Sequence, residues 1–412
     1  MSKIYPTPAT APSGPLRILI GADTFPPDVN GAARFTSRLA AGLTHRGHDV
    51  HIMAPAQSSK HGAVTERHDG ADITVHRLYS WRWFPHPWLR FVLPWRSQAH
   101  ARRVLDLVKP DVVHIQSHIV IGRGLTRQAA RRGIRVVATN HFMPENLIEH
   151  TLIPGFLRKL AVRIAWRDAA KTYHLVESVT TPTRRAAEFL EAETDITDVH
   201  AISCGLNANE YTSNPTRPKE NRVVFVGRVT AEKHIDVLVR AVAKIDPALE
   251  VKLDIIGGGE LEDHLAKLAD RLGIGANTTL TGFVSDEELR AGLTRATVFS
   301  IPSVAELQSI ATMEAMASGL PVVAANAMAL PHLVHDGENG YLFEPGNSDD
   351  LAEKLTRVFT ASDDEYLRMK RASLAFIRPH DIERTLTTFE SLYRGETVID
   401  PVTEVSLDEP GN

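Results

Sequence analysis

Several features that define other protein classes are scarce in this sequence of 412 residues. It has one cysteine, Cys204, which excludes an internal disulfide and the thiolate cluster of a structural zinc site. Because disulfides persist in oxidising surroundings, their absence favours a reducing compartment, and we expect a cytoplasmic protein. No segment approaches the roughly 20 apolar residues of a membrane-spanning helix, so a membrane role would have to be peripheral.

An excess of positive charge is missing as well. The 46 Lys and Arg residues are balanced by 50 Asp and Glu residues, which gives a net charge of -4. Nucleic acid is therefore not an expected partner, because a phosphate polyanion is bound by clustered positive charge. Disorder is excluded for most of the chain, since 43% of its residues are hydrophobic. A chain of this length exceeds a single core, and we expect two domains.

The two ends differ from the rest in composition. Residues 1–15 are rich in Pro, Ser, Thr and Ala, lack the apolar stretch of a secretory signal and are expected to form a flexible lead-in. Residues 397–412 are acidic, and we expect a disordered tail there.

Short β-branched runs alternate with longer amphipathic segments along most of the remaining sequence. This pattern indicates parallel strands joined by helices and therefore an α/β fold. The first half also predicts a helix over 33–46, which ends at Gly47. The predicted strands are 17–21, 49–54, 72–78, 111–115, 135–139, 178–181, 222–226, 251–256, 278–281, 297–301 and 322–325.

One polar stretch interrupts this alternation. Residues 207–221 lack a strand pattern, so we expect a linker there, between an N-terminal domain over 16–206 and a C-terminal domain over 222–378. Residues 379–396 predict a helix that crosses back to the first domain. The expected architecture is two doubly wound, Rossmann-like domains that face each other across a cleft, where the carboxyl ends of the strands bind ligands.

The most informative segment, 303–321, follows a predicted strand and opens a predicted helix. Residues 308–310 should lie in the first turn, where free backbone N–H groups and the helix dipole attract an anion. Glu306 precedes the helix, and Glu314 lies about two turns into it. Each carboxylate also has an ordinary interpretation, because the dipole favours an acidic residue at the position of Glu306 and Glu314 could be an exposed helix residue.

Two cations lie in one short loop upstream of that segment. Arg228 and Lys233 follow a predicted strand and Gly227, and they suit a diphosphate, because arginine donates bidentately and lysine is a point charge. A surface pair of cations is the alternative. In the first half of the chain, Gly31 lies in a strand-to-helix turn, where a residue without a side chain permits the close approach of a ligand.

Other candidates are distinguished mainly by their position after a predicted strand. His141 follows the strand 135–139, and this position distinguishes it from the other histidines among the 19 in the sequence. Residues 257–259 are three glycines after the strand 251–256 and are typical of a turn that approaches a ligand closely. Residues 282–284 could present backbone groups to a nucleotide base.

The ordered combination of these residues resembles the retaining glycosyltransferases of glycosyltransferase family 4, which have the GT-B fold. Glu306 and Glu314 form an E-x7-E pair, and the loop with Arg228 and Lys233 precedes it. The resemblance extends over residues 17–393 or so. Its other positions are Gly31, His141, 257–259, 282–283 and 336–342.

The resemblance implies a role for each position. Arg228 and Lys233 would hold the donor diphosphate together with a helix N-terminus, Glu306 would contact the transferred sugar, and Glu314 would bind the donor ribose. His141 would lie beside the sugar, near the reacting carbon. The catalytic residues so implied are His141, Glu306, Arg228 and Lys233, and the donor-binding residues are Gly31, Gly227, Arg228, Lys233, Gly257, Phe283, Glu306, Leu307, Gln308, Ser309 and Glu314.

The resemblance also implies what the reaction needs. A nucleotide diphosphate sugar, UDP- or GDP-linked, would be the substrate. The C-terminal domain (222–378) would bind this nucleotide sugar, and the N-terminal domain (16–206) would bind the acceptor. No cofactor or metal would be required, because two cations and a helix N-terminus supply the positive charge. The leaving diphosphate would accept the acceptor's proton on the face of the departing bond, which gives retention without a dedicated base.

Acidic residues are absent from 73–105, where four of the five tryptophans lie beside several arginines. Aromatic anchors and cations together are typical of proteins that bind the surface of an anionic membrane. Residues 155–171 are a second candidate, because apolar and basic residues recur there at helical spacing. An ordinary surface helix and a tryptophan-rich core edge are the alternative. The residues expected at the membrane or acceptor are Trp81, Trp83, Trp88, Arg90, Trp95 and Arg96.

The residues after Glu306 narrow the expected acceptor. Many family members have glycine and aromatic residues there, whereas 307–309 are Leu, Gln and Ser, which resembles the subgroup acting on glycerolipids and phosphoinositides, as do 139–146. The expected activity is transfer of a hexose such as glucose or mannose to a diacylglycerol- or phosphoinositide-type lipid at the inner face of the membrane. The alternatives are a soluble acceptor such as a sugar phosphate, a sugar-nucleotide epimerase and a non-catalytic nucleotide-sugar-binding module.

Overall fold

The computed structural model describes residues 12–400 except 29, 59, 84–85 and 145–153, with the backbone alone for 83 and 86–89. Most of the predicted lead-in (1–15) and of the predicted acidic tail (397–412) therefore lies outside the described residues. The described chain forms two compact units. Unit 1 contains residues 12–203 and 383–400, and unit 2 contains residues 204–382.

This division can be compared with the predicted domains. The chain passes from unit 1 to unit 2 after Ser203, so the segment 207–221, predicted as a linker, is part of unit 2 together with 222–378. Residues 383–396, which make up most of the predicted crossing helix, are part of unit 1.

Unit 1 contains ten strands and six helices among its described residues. The strands are β1 (Arg17–Gly21), β2 (Asp49–Pro55), β3 (Gly62–His68), β4 (Ala71–Leu78), β5 (Trp81–Trp83), β6 (His86–Phe91), β7 (Val112–Ile115), β8 (Arg135–Thr139), β9 (Ser178–Thr181) and β10 (His200–Ala201). The helices are α1 (Gly31–His45), α2 (Pro94–Val108), α3 (Ile121–Ala130), α4 (Gly155–Tyr173), α5 (Arg184–Glu193) and, near the end of the chain, α12 (Ile382–Arg394). The main sheet has the order β10-β9-β8-β7-β1-β2-β4-β3, with β3 antiparallel to β4 and the other pairs parallel, while β5 and β6 form a separate hairpin.

Burial explains why the central segments of unit 1 form a parallel sheet. All four residues of β7 are buried, as are all residues of β1 after Arg17, which is expected where helices cover both faces of a sheet. Helix α1 begins at Gly31 rather than at the predicted residue 33, because Asn30 is its N-cap. Asn30 Oδ1 accepts a hydrogen bond from Ala33 N at 2.9 Å.

Unit 2 is a second doubly wound unit. Its strands are β11 (Arg222–Val226), β12 (Lys252–Ile256), β13 (Thr278–Leu280), β14 (Val298–Ile301), β15 (Val322–Ala325) and β16 (Gly340–Phe343). Its helices are α6 (Ile235–Val242), α7 (Glu262–Arg271), α8 (Asp286–Arg295), α9 (Ile310–Ala317), α10 (Ser348–Thr360) and α11 (Asp363–Phe376). The strand order is β13-β12-β11-β14-β15-β16, and each neighbouring pair is parallel.

The predicted α/β fold with two Rossmann-like domains is confirmed, and each predicted strand is present within one residue of its expected bounds. The strands that the sequence pattern does not predict are β3, β5, β6, β10 and β16. β3 escapes prediction because it is a mostly exposed edge strand, and an exposed edge needs no apolar alternation.

Candidate functional site

The two cations predicted to bind a diphosphate lie in unit 2, each beside a carboxylate. Gly227 follows β11, and Arg228 and Lys233 come next in the loop that leads to α6. Lys233 Nζ lies 2.5 Å from Glu306 Oε1, although the two residues are 73 positions apart. Arg228 Nη2 lies 3.0 Å from Glu232 Oε1. The fold thus brings Lys233 to the first carboxylate of the E-x7-E pair.

Glu232 lies beside the two candidate cations, and sequence reasoning does not identify it as a candidate. Burial alone would raise the pKa of Glu232, but the nearby Thr230 hydroxyl and the charge of Arg228 outweigh burial and lower it. The carboxylate is therefore ionised at neutral pH. Its spacing of four residues from Arg228 is the signal by which it could have been found. Because Lys233 and Arg228 each pair with a carboxylate, a bound diphosphate would have to replace these carboxylates as the partner of each cation.

The helix predicted to receive the anion begins later than expected. Helix α9 starts at Ile310, and Ser309 is its N-cap, whose Oγ accepts a hydrogen bond from Thr312 N at 3.3 Å. The prediction that Gln308 and Ser309 lie in the first turn is therefore wrong. Because Ser309 satisfies one N–H group of the first turn, the N–H groups of Ile310 and Ala311 are the helical donors left for an anion.

The Gln308 side chain is engaged within unit 2. Its Oε1 accepts a hydrogen bond from Cys204 N at 2.7 Å, and its Nε2 lies 3.4 Å from His380 Nδ1. All three residues are buried. A donor contact by Gln308 would therefore use its backbone, while its side chain connects the loop before α9 to segments near both ends of unit 2.

Both carboxylates of the E-x7-E pair are buried. Glu314 is 2% exposed and Glu306 is 9% exposed, whereas Leu307 is half-buried. The alternative in which Glu314 is an exposed helix residue is therefore wrong. A buried carboxylate is costly unless it is hydrogen-bonded, so packing alone does not account for Glu314.

Among the described residues, no group of three or more His, Cys, Asp and Glu side chains is arranged to hold a metal ion.

The glycine turn after β12 permits close packing inside unit 2. A Cβ on Gly257 would collide with Gly227 O, and a Cβ on Gly258 would lie 2.5 Å from the Phe283 ring. Only glycine lets these neighbouring loops approach so closely, and the approach fixes the loop that carries Arg228. Phe283 is itself 65% exposed.

In unit 1, His141 follows β8 and is half-buried as a residue. Its Nε2 lies 3.0 Å from Gln116 Oε1, and its ring centroid lies 4.9 Å from that of Phe35. Burial lowers the pKa of His141 to about 4, so the imidazole is neutral at physiological pH. A neutral ring can exchange hydrogen bonds with a hydroxyl but adds no charge.

Two further positions of unit 1 are relevant. Gly31 is the exposed first residue of α1, so it lies at a helix N-terminus, where backbone N–H groups face outward. Gln116 is absent from the sequence-based candidates. It directly follows β7, and its position after a strand is the same signal that identifies His141.

Part of the aromatic and basic surface predicted in unit 1 is engaged in contacts within that unit. Trp81 of the β5–β6 hairpin packs against Phe91 with ring centroids 6.2 Å apart, and the Arg96 guanidinium lies 5.4 Å from the Trp81 centroid. Arg90 Nε donates a hydrogen bond to Ser80 Oγ at 2.7 Å. These contacts favour the core-edge alternative for Trp81 and Arg90. Of the other expected residues, Trp95 is 67% exposed, and the side chains of Trp83 and Trp88 lie outside the described residues.

The basic helix predicted over 155–171 is α4, and its first turns lie on the surface of unit 1. Residues 155–160 are all exposed, with Phe156 at 83%, and the C-terminal half of α4 instead buries Trp166 and Tyr173. No helix in the described part of the chain is both long and apolar enough to cross a membrane. We use "α4 surface" for the exposed residues Phe156, Leu157, Arg158, Lys159, Leu160, Arg163 and Ile164.

Family models match both halves of the chain. The model of glycosyltransferase family 4 matches residues 29–210, and the model of glycosyl transferases group 1 matches residues 208–374. Both models are of glycosyltransferases, and together they cover most of the chain, which is therefore a glycosyltransferase.

This glycosyltransferase has relatives with named activities. A GDP-mannose-dependent alpha-mannosyltransferase of Mycobacterium tuberculosis is 29% identical over 80% of this chain and 84% of the relative. A GDP-mannose-dependent alpha-(1-6)-phosphatidylinositol dimannoside mannosyltransferase of the same species is 27% identical over 77% of this chain and 82% of the relative. A D-inositol 3-phosphate glycosyltransferase of a Nocardioides species is 29% identical over 80% of this chain and 78% of the relative.

Solved structures share the fold of this glycosyltransferase. Sucrose-phosphate synthase from Thermosynechococcus elongatus matches with a TM-score of 0.76 at 17% identity, over 92% of this chain and 99% of that chain. Anabaena HepE in complex with UDP and glucose matches with a TM-score of 0.72 at 18% identity, over 92% and 99% of the two chains. The protein is thus a glycosyltransferase of the GT-B fold that uses a nucleotide sugar.

Proposed function

We propose that this glycosyltransferase is a retaining hexosyltransferase that moves glucose or mannose from a UDP- or GDP-linked sugar to a membrane lipid of the diacylglycerol or phosphoinositide type. The observation that supports a lipid acceptor is the α4 surface, where exposed apolar side chains and cations lie on the same helix. The mannosyltransferase relatives support a hexose and make GDP-mannose the first donor to test.

The charge of the α4 surface is informative because it opposes the helix dipole. Arg158 and Lys159 lie in the first two turns of α4, which contains no acidic residue before Asp168. Cations there are disfavoured by the partial positive charge of the helix N-terminus, and an external anion would offset this repulsion. Phe156 and Leu160 are four residues apart and exposed, so they supply apolar area that a headgroup layer would cover.

On the donor side, we assign the diphosphate to Arg228, Lys233 and the N-terminus of α9. Negative charge on the leaving diphosphate grows as its bond to the sugar breaks, so these donors stabilise the transition state more than the bound substrate. Glu306 and the neutral His141 hydrogen-bond the sugar, and Glu314 binds the ribose. The leaving diphosphate takes the proton of the acceptor hydroxyl on the same face, which retains the anomeric configuration.

Purified protein, labelled UDP- and GDP-sugars and an anionic lipid extract test this function. We expect label in the organic phase only when donor and lipid are both present, with the donor's anomeric configuration preserved in the product by NMR. The Glu306→Gln variant should still fold but give little lipid product, because the change should impair turnover more than folding. Label that stays in the aqueous phase whatever lipid is added would contradict a lipid acceptor.

A soluble acceptor is the second candidate, and the inositol phosphate relative favours it. The same donors offered with inositol 3-phosphate or sugar phosphates separate the two acceptors. A higher kcat/KM for a soluble acceptor than for any lipid would replace the lipid proposal. An epimerase would instead interconvert sugar nucleotides without an acceptor, and a binding module would hold the donor without turnover.

Reversing the cations of the α4 surface is expected to weaken membrane binding strongly. The variant with Arg158→Glu, Lys159→Glu and Arg163→Glu loses three cations, each of which contributes about 1 kcal/mol near an anionic surface. Co-sedimentation with vesicles of phosphatidylcholine and phosphatidylglycerol should show salt-sensitive binding of the parent and binding of the variant about a hundredfold weaker.

The matched control reverses three exposed cations of unit 2, Lys219, Lys267 and Arg371, and so changes the net charge equally. It should bind vesicles like the parent. Equal losses in both variants would mean that net charge, and not the α4 surface, controls binding. If the parent itself ignores anionic vesicles at low salt, the soluble acceptor becomes the better proposal.

We also propose that transfer requires no divalent metal ion. Arg228, Lys233 and the N-terminus of α9 supply the positive charge that a metal would otherwise bring to the leaving diphosphate. Excess EDTA should therefore change the rate by less than about twofold. Complete loss of activity with EDTA, restored by magnesium or manganese, would contradict this proposal.

A further inference from the structure

A buried polar chain in unit 1 links His141 to the last helix. Gln116 is 2% exposed, and its Oε1 lies 3.0 Å from His141 Nε2. On its other side, Gln116 Nε2 lies 3.2 Å from His114 Nε2. His114 is a buried residue of β7, and its Nδ1 lies 2.7 Å from the hydroxyl of Tyr393 on α12.

The two ends of a glutamine amide make this chain directional, because the oxygen only accepts and the nitrogen only donates. Gln116 Oε1 therefore requires a proton on Nε2 of His141. Gln116 Nε2 requires a lone pair on Nε2 of His114, whose own proton is then on Nδ1, where the Tyr393 oxygen accepts it. The two histidines thus carry their protons on opposite ring nitrogens.

The threonines beside His114 fit the same direction. Thr139 Oγ1 lies 2.7 Å from His114 Nε2 and 2.7 Å from Thr180 Oγ1. The Thr139 hydroxyl can therefore share the single lone pair of His114 Nε2 with Gln116 Nε2 and accept from Thr180. Both threonines are buried. Because a flip of the Gln116 amide would require the protons of these partners to move together, the network resists a change at any single member.

We propose that Gln116 is a positioning residue that holds His141 in one neutral tautomer, protonated at Nε2, so that Nδ1 is an acceptor for a hydroxyl of the transferred sugar. The kinetic consequence rests on the proposed function, in which His141 lies beside that sugar. The tautomer itself depends only on the contacts inside unit 1.

Nitrogen NMR of protein labelled with 15N-histidine measures the tautomer, since protonated and unprotonated ring nitrogens differ in chemical shift. The signals of His141 are assigned by their loss in His141→Gln, and we expect the parent to be protonated at Nε2 alone. Gln116→Met keeps the side-chain length but removes both hydrogen bonds, and it should give mixed tautomers at His141. Its kcat should fall about tenfold with little change in the donor KM, as for one neutral hydrogen bond. Gln116→Glu retains an acceptor oxygen and should keep the proton on Nε2.

Gln128→Met is the matched control, because Gln128 is another buried glutamine of unit 1, and its Oε1 accepts a hydrogen bond from Arg132. It should change neither the tautomer of His141 nor kcat. If Gln116→Met shows the parent's nitrogen pattern at His141, the proposal is overturned even when activity falls. If the parent transfers no sugar from any donor, the proposed function fails, but mixed tautomers in Gln116→Met would still support the positioning role.

Discussion

Acidification from pH 7.5 to pH 5.5 is expected to lower the free energy of unfolding of unit 1 by about 5 kcal/mol. Burial lowers the pKa of His76, His118 and His141 to about 4 and that of His114 to about 3. These rings stay neutral in the folded state at pH values where an unfolded histidine takes up a proton. A loss of this size is comparable to the whole stability of many domains.

The sign of the effect follows from proton uptake. Above pH 6.5, the ordinary histidine pKa, neither state binds a proton at these rings, so stability is unaffected. Below it, only the unfolded state binds the proton, and each histidine costs about 1.4 kcal/mol per pH unit until its folded pKa is reached. Burial raises the pKa of Asp23, Asp28 and Glu177 of unit 1, which acts in the opposite direction. Burial also lowers the pKa of His51 and His100, which adds to the loss and offsets the carboxyl groups.

Tryptophan fluorescence can follow the unfolding of unit 1 alone, because all five tryptophans belong to the part of the chain that forms unit 1. Urea titrations at pH 7.5, 6.5 and 5.5 should show a midpoint that falls mainly in the second interval. His76→Gln should reduce the pH slope by about a quarter, whereas His264→Gln, at an exposed position of unit 2, should not alter it. Equal unfolding free energies at pH 7.5 and 5.5 would contradict the burial of neutral rings.

The fold could be predicted where the local pattern and burial coincide. Strands β1 and β7 are apolar nearly throughout because both faces of the sheet are covered, and such runs stand out in a sequence. β3 could not be predicted in this way, because most of its residues are exposed and its antiparallel pairing with β4 is a long-range property.

The sequence indicates the candidate donor-site residues one by one, but it does not indicate which of them pair. Lys233 and Glu306 are 73 positions apart, and they meet because β11 and β14 are neighbours in the sheet. The spacing of the E-x7-E pair contains no information about that contact. Helix α9 begins two residues later than the sequence predicts, and the reason is local. Serine is a favourable N-cap, and Ser309 in this position makes Ile310 the first helical residue.

Composition is a weaker guide to the surface of unit 1. Trp81 and Arg90 belong to a stretch rich in aromatic and basic residues, but such residues serve a core edge as well as a membrane surface. The hairpin that packs Trp81 on Phe91 is not visible in the sequence pattern, so its contacts could not be predicted. The helical spacing of apolar and basic residues does predict α4, because a helix depends on local sequence and not on contacts with distant strands.

Removal of the Lys233 side chain is expected to slow transfer about ten- to hundredfold, because a charge-assisted hydrogen bond to the leaving diphosphate is worth about 1.5 to 3 kcal/mol. Lys233→Ala also leaves Glu306 without the ammonium group that lies 2.5 Å away. A fall in activity could therefore come from the lost phosphate contact or from a displaced Glu306.

A double-mutant cycle separates these two sources. Lys233→Ala, Glu306→Gln and the double variant give one coupling energy for kcat/KM and another for unfolding. If the two side chains contact different parts of the donor, the kinetic losses should multiply to a total of about a hundred- to ten-thousandfold. The stability losses should not add, because either single change breaks the same ion pair.

Lys252→Ala is the matched control for this cycle. Lys252 also forms an ion pair, with Glu220 at 2.7 Å, but it lies at the start of β12, whereas ligands of parallel sheets bind at the carboxyl ends of strands. It should leave kcat/KM unchanged, and if Lys233→Ala behaves in the same way, Lys233 does not bind the diphosphate. If the double variant is no slower than the slower single variant, Lys233 acts only by holding Glu306, because then a single donor contact has been lost.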